Sequence, residues 1–216
     1  MVRTQWTRKE VGITGGYGDK ILATTNDPAQ SWYWRALHPQ RGIFNFDFKP
    51  ERGRLHYDQT LGKVADVEDA VIIEPHVKRT FSADNKDWGF PRWQELVDAL
   101  PLRFVQCVHH GLPVLKNVDV IETLSFDQAV SVLAAARGLV ATAGGLQHAA
   151  GALGKQAVVI WGAYAPPEVL GYDGHENIAE PDPESLGWRV SHPGCRAAMQ
   201  RISVARVANA VIARFW

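Results

Sequence analysis

From Ala70 onward the sequence predicts an α/β fold, a parallel sheet covered by helices on both faces. Short β-rich runs alternate with helix-patterned stretches. Those runs are apolar throughout instead of alternating apolar with polar, as strands buried on both faces require. Glycines and capping residues stand at the junctions between them.

The elements follow in order. Ala70 to Glu74 (AVIIE) is an apolar run closed by Pro75, the first expected strand. Pro91 to Leu100 carries Trp93, Leu96, Val97 and Leu100 along one helical face, with Pro91 suited to the first turn. Arg103 to Val108 and Val118 to Ile121 read as the next two strands. Ser125-Phe-Asp-Gln128 is a capping-box pattern, opening a helix expected to reach about Arg137 and to stop at Gly138. Leu139 to Thr142 is a short strand, Gly145 to Leu153 a helix ended by Gly154, and Ala157 to Trp161 a buried strand. Ser203 caps a last helix with Val204, Val207, Ala208, Val211, Ile212 and Phe215 on one side. Ligands in such sheets bind beyond the carboxyl ends of the strands, which selects the loops after Glu74, Thr142 and Trp161.

Residues 1 to 69 differ. A short strand at Val11 to Thr14 leads into Gly15-Gly-Tyr-Gly-Asp19, and the aromatic stretches Trp32 to Trp34 and Phe44 to Phe48 follow, with no full βαβ repeat. The chain is therefore divided at 69/70.

Composition narrows the function. The 216 residues are 46% hydrophobic and 21% charged, enough for a real core. Lys plus Arg is 23 and Asp plus Glu is 23, which argues against a general polyanion-coating role. No apolar run approaches a membrane span and no signal peptide is visible at the start, so a cytoplasmic location is expected. Cys107 and Cys195 form no CxxC pair, which argues against a disulfide scaffold or a structural zinc site.

Three stretches can carry chemistry. Thr142-Ala-Gly-Gly-Leu-Gln-His148 lies between a strand and a helix, where free amides and the positive dipole end make an anion site. Read alone, it is also compatible with a tight turn and a half-buried His148. Phe81-Ser-Ala-Asp-Asn-Lys86-Asp-Trp88 lies in the long loop after the first strand and offers Ser82 and Lys86 to a phosphate, or is a solvated loop. Gly15-Gly16-Tyr17-Gly18-Asp19 is neither a P-loop nor GxGxxG, and it places Asp19 as a general base or as a helix-capping turn residue. The absence of GxGxxG with a following acidic residue weighs against a nicotinamide enzyme.

Taken in order, GGYGD, K-x-W, GGLQHAAGALGKQAVVIWG and a late HPGC resemble glycosyltransferase family 9, the heptosyltransferase-like enzymes. The matches are Lys86, Trp88, Gly145, His148, Ala149, Ala150, Ala152, Leu153, Gly154, Val158 and Gly162, over roughly residues 70 to 216. The resemblance implies a GT-B-like fold: a Rossmann-like donor domain at 70–216, with a reduced acceptor-side lobe at 1–69. It implies that Ser82 and Lys86 bind the donor diphosphate, that Gly144, Gly145 and His148 form the second phosphate turn, and that Leu124 lines the nucleobase pocket. Gly16, Tyr17 and Gly18 then stand on the acceptor side, with Asp19 as the base. The implied reaction is an inverting, metal-independent displacement that needs no cofactor beyond the nucleotide-sugar. The acceptor is a glycan, a lipid-linked glycan or a hydroxylated nucleic-acid base. A second subunit could complete the cleft.

Three departures stand out. Ala143-Gly144 replaces the family's usual Asp-Thr, which removes a carboxylate near the donor sugar and puts a heptose donor in question. Gln156 replaces a Pro. Roughly 50 residues separate Asp19 from the first strand, where a full domain needs well over ~100. The rival to transfer is a non-catalytic nucleotide-sugar-binding module.

Overall fold

The computed structural model describes residues 55, 57, 59–77, 83–109, 111–162, 167, 171–180 and 191–216. The described strands are β1 (Val71–Glu74), β2 (Phe104–Val108), β3 (Asp119–Glu122), β4 (Gly138–Thr142), β5 (Gln156–Trp161) and β6 (His175–Ala179). The helices are α1 (Thr60–Val64), α2 (Phe90–Ala99), α3 (Phe126–Ala135), α4 (Gly145–Leu153), α5 (Pro193–Arg201) and α6 (Val204–Phe215), with a short 3-10 turn at Ala83–Lys86. All strand pairings are parallel, in the order β3-β2-β1-β4-β5-β6. This is the doubly wound Rossmann-like arrangement that the apolar strands predict.

Two cores sandwich the sheet. Ile72, Val105, Leu139 and Val159 point to one face, under Val130 and Leu133 of α3 and Leu146 and Ala150 of α4. Val71, Ile73, Val140, Val158 and Ile160 point to the other, under Trp93 and Leu96 of α2, Met199 of α5, and Val207, Val211 and Phe215 of α6. Each such side chain, fully buried, contributes about 1.5–3 kcal/mol of transfer free energy. The central strands are apolar at every position because both faces are covered.

Local chemistry fixes the helix ends. Ser125 Oγ accepts from the Gln128 amide at 3.3 Å, and Gln128 Oε1 accepts from the Leu124 amide at 2.7 Å. The return bond of the capping box thus reaches the residue before the cap. Ser203 Oγ accepts from the Arg206 amide, and Gly154 closes α4 in the left-handed region at φ 69°.

Several expectations are revised. The helix opened by Ser125 ends at Ala135, and Gly138 begins β4 instead of stopping the helix. Its missing side chain makes room: a Cβ there would lie 2.4 Å from the Phe215 ring and 2.7 Å from the Gln156 carbonyl oxygen. Ile212, expected on the buried side of α6, is 41% exposed, because α6 turns only Val207, Ala208, Val211 and Phe215 inward. β6 and α5 were not foreseen.

Helix α1 precedes the division expected at 69/70 and packs on the same core. The Gly62 amide donates to Ser131 Oγ of α3 at 2.8 Å, and Tyr57 and Leu61 lie against the buried cluster. Among the described residues no helix is long and apolar enough to cross a membrane.

Gly138→Ala is expected to cost about 1–3 kcal/mol, since the clash includes backbone that cannot swing away. Urea denaturation checks this; a loss below about 0.5 kcal/mol would mean that α6 yields freely at Phe215.

Candidate functional site

The strand order reverses between β1 and β4. The chain leaves β1 toward α2 on one face and leaves β4 toward α4 on the other, the place where such sheets form a crevice beyond the carboxyl ends of their strands. The turn Thr142-Ala-Gly-Gly145 and the segment bearing Lys86 both border this crevice.

Lys86 ends the 3-10 turn, and its Nζ donates to the Ala143 carbonyl at 3.1 Å. Burial pushes its pKa below the usual lysine value. The neighbouring residues fix its place. The buried Asn85 accepts from the His192 amide through Oδ1 at 2.7 Å, tying the turn to the start of α5. Trp88 Nε1 donates to the Ile202 carbonyl at 2.8 Å, with its ring edge-on to Trp93 at 4.9 Å. The Trp of K-x-W is thus an anchor buried in the core, two residues from the ammonium it positions.

Gly144 caps α4 without a side chain, so no side-chain oxygen competes for the first-turn amides. A Cβ on Gly144 would meet only the Thr142 oxygen at 3.7 Å, an ordinary contact, so this glycine is not required by sterics. Gly145 is tighter: a Cβ would lie 3.1 Å from the Phe126 ring, so the starts of α3 and α4 stand side by side.

His148 sits in the first turn of α4, and its Nδ1 lies 3.1 Å from the Tyr172 hydroxyl. The rings meet edge-on at 5.8 Å. Burial first, and then the Lys86 charge, lower its pKa. The two side chains therefore sense each other across the turn. Burial thus biases the His148 ring toward its neutral, hydrogen-bonding form.

Leu124 is 80% exposed and Phe126 49% exposed, and the Phe126 ring stands against Gly145. The resemblance implicates Leu124; Phe126 lies unmarked inside the capping-box pattern. Tyr172 was also missed. Its ring lies where a Cβ on Gly151 would be, at 2.7 Å, which explains that glycine in α4.

Glu74 is the third residue missed. It ends β1 opposite Ala141 in the register with β4, half-buried. Its Oε1 accepts from the His76 amide at 2.8 Å. Burial raises its pKa to about 7, partly opposed by that hydrogen bond. Burial and then the Glu74 charge push the neighbouring Cys107 thiol up to about 12, so this cysteine is inert.

The other candidates fall elsewhere. Asp19, Gly16, Tyr17, Gly18, Ser82 and His110 lie outside the described residues. His109 is exposed, with Nδ1 2.8 Å from the Thr123 carbonyl oxygen. Cys195 is fully buried in α5.

Solved structures similar to this chain share one architecture. The E. coli ADP-heptose lipopolysaccharide heptosyltransferase II superposes with a TM-score of 0.56 at 16% identity, covering 75% of this chain and 53% of that one. E. coli heptosyltransferase WaaC with ADP gives 0.54 at 18% identity, covering 87% and 58%. The glycosyl transferase family 9 protein of Veillonella parvula gives 0.55 at 12% identity, covering 77% and 55%. The chain has the α/β fold of these glycosyltransferases. It spans about half the length of the solved chains it matches. No protein-family model and no curated sequence matches it.

The Glu74 carboxyl gives a pH signature. Its native pKa, about 7, lies above the ordinary 4.5. Its contribution to stability is full below the unfolded value and is lost as pH rises through the folded one. Glu74→Gln should therefore gain on the parent between pH 4 and pH 8, by about 3 kcal/mol at most. Denaturant midpoints at both pH values test this, and a pH-independent difference would refute it.

Proposed function

We propose that this chain is a glycosyltransferase that moves a sugar from a nucleotide-diphosphate sugar to an acceptor hydroxyl. The observation that carries this reading is the Lys86 ammonium seated on the Ala143 carbonyl, immediately before the uncapped start of α4. A buried cation beside a helix start that no side chain caps suits a diphosphate. His148 adds a hydrogen bond, and Leu124 with Phe126 offers an apolar wall to a nucleobase.

The reaction is an inverting displacement that needs no metal. The acceptor oxygen attacks the anomeric carbon from the face opposite the diphosphate. Its proton passes to the Asp19 carboxylate as the carbon–oxygen bond to the β-phosphate breaks. Negative charge then grows on the departing diphosphate, where Lys86 and the α4 amides stabilise it. Ser82 joins this cradle from the same loop, and Gly16, Tyr17 and Gly18 shape the acceptor side. WaaC, whose structure holds ADP, makes ADP-sugars the first donors to try. The acceptor is a glycan, a lipid-linked glycan or a hydroxylated nucleic-acid base, met in the cytoplasm.

Incubation with a panel of nucleotide-sugars and acceptors, scored by nucleotide diphosphate release, tests the reading. Asp19→Asn should cut release by about a hundredfold or more while nucleotide diphosphate affinity holds. Lys86→Ala should weaken that affinity by about tenfold or more. Tight binding with no release for every donor would identify a non-catalytic binding module instead. An Asp19→Asn protein as fast as the parent would remove Asp19 as the base.

A further inference from the structure

Glu74 is a carboxyl group in a crevice otherwise suited to anions. It stands at the carboxyl end of β1, beside β4 and so beside the strand that leads into the Gly144-Gly145 turn. It belongs to the same sheet face as Ile72 and Cys107, the face covered by α3 and α4, whose starts border the proposed phosphate and base positions. Among the described residues only the His76 amide donates to it, at Oε1. Among the described residues no cation is placed to offset its burial. The His76 Nε2 is engaged elsewhere, 2.9 Å from the Pro113 carbonyl oxygen and 3.0 Å from the Gln106 amide nitrogen. Among the described residues no hydrogen bond to the second carboxyl oxygen, Oε2, is found, while the bond at Oε1 fixes its direction.

A half-buried carboxylate with no cation repels phosphate, so it does not hold the diphosphate. Groups that satisfy it are hydroxyl donors, and an ionised carboxylate accepts two of them side by side. A nucleotide-sugar carries adjacent hydroxyls on both its ribose and its transferred sugar. We infer that Glu74 recognises a vicinal diol of the bound donor, which makes it a specificity-determining residue of the crevice. This inference rests on the donor reading above.

The test uses calorimetric binding to the full chain, parent and Glu74→Gln. Gln keeps the oxygen that accepts from His76 and the shape of the side chain, and a melting scan confirms folding. The probes are ADP, 2′-deoxy-ADP and an ADP-hexose. If the diol is the ribose, the parent should bind ADP about tenfold or more tighter than 2′-deoxy-ADP, and the variant should lose that preference. If the diol is on the transferred sugar, the variant should lose about tenfold for ADP-hexose alone. Comparison of the three ligands on the parent needs no variant, so discrimination is read even where Glu74→Gln misfolds. Unchanged affinity of the folded variant for all three, or a parent that treats the three alike, overturns the assignment of Glu74. A parent that binds none of these nor any other nucleoside diphosphate overturns the donor reading itself, a separate outcome.

Discussion

The bond from Lys86 Nζ to the Ala143 carbonyl joins the two connections that leave the sheet in opposite directions. It spans 57 residues of sequence and ties the loop after β1 to the turn after β4. A buried ammonium is tolerated only where oxygen atoms replace its water. Ala143 supplies one such oxygen, and the cost of burial shows in the lowered pKa. The loop that carries Lys86 is accordingly pinned, by Asn85 to His192 and by Trp88 to Ile202. Helices α5 and α6 are thus the buttress of this site as well as a cover for the sheet. Gly162 completes the buttress, because a Cβ there would meet Met199 Sδ at 2.6 Å and the Asn85 carbonyl oxygen at 3.0 Å.

The charges around the crevice lean toward neutrality. Lys86 and His148 are both shifted toward losing their protons, and Glu74 toward keeping its own. One cause, burial, leads in all three cases. A polyanion reverses the bias on the first two, since its charge favours ammonium and imidazolium alike. It does not relieve Glu74, which gains only from groups that donate protons in hydrogen bonds. Under the donor reading proposed above, charge would be favoured toward the α4 turn and hydroxyl donors toward the end of β1.

The fold was legible where burial alone writes the pattern. β1, β2, β4 and β5 are apolar runs because helices cover both faces, and Ser125 and Ser203 announce their helices through their own hydroxyls. β6 escaped because its sequence, HENIA, is an edge strand in which Glu176 is exposed, Asn177 accepts from Trp161 Nε1 and His175 is buried, so no apolar run marks it. α5 escaped because His192-Pro-Gly reads as a turn, whereas His192 Nδ1 accepts from the Gly194 amide and so caps a helix. In the site, the Gly-Gly turn with His148 was legible because strand, glycines and helix adjoin in sequence. Glu74, Phe126 and Tyr172 were not. Each acquires meaning from a neighbour distant in sequence: Glu74 from β4, Phe126 from Gly145, and Tyr172 from His148 and Gly151.

The departure at Ala143-Gly144 takes on a physical sense against this geometry. A carboxylate at position 143 would stand within the reach of the Lys86 ammonium, whose Nζ already contacts the backbone oxygen of that residue. An alanine there leaves the Ala143 carbonyl as the oxygen that accepts from the Lys86 ammonium at this turn. An acidic group stands instead at the end of β1, one strand over and held by the His76 amide, where among the described residues no cation offsets its burial. Acid and base are thereby kept on separate connections, Glu74 at the end of β1 and Lys86 against the turn after β4.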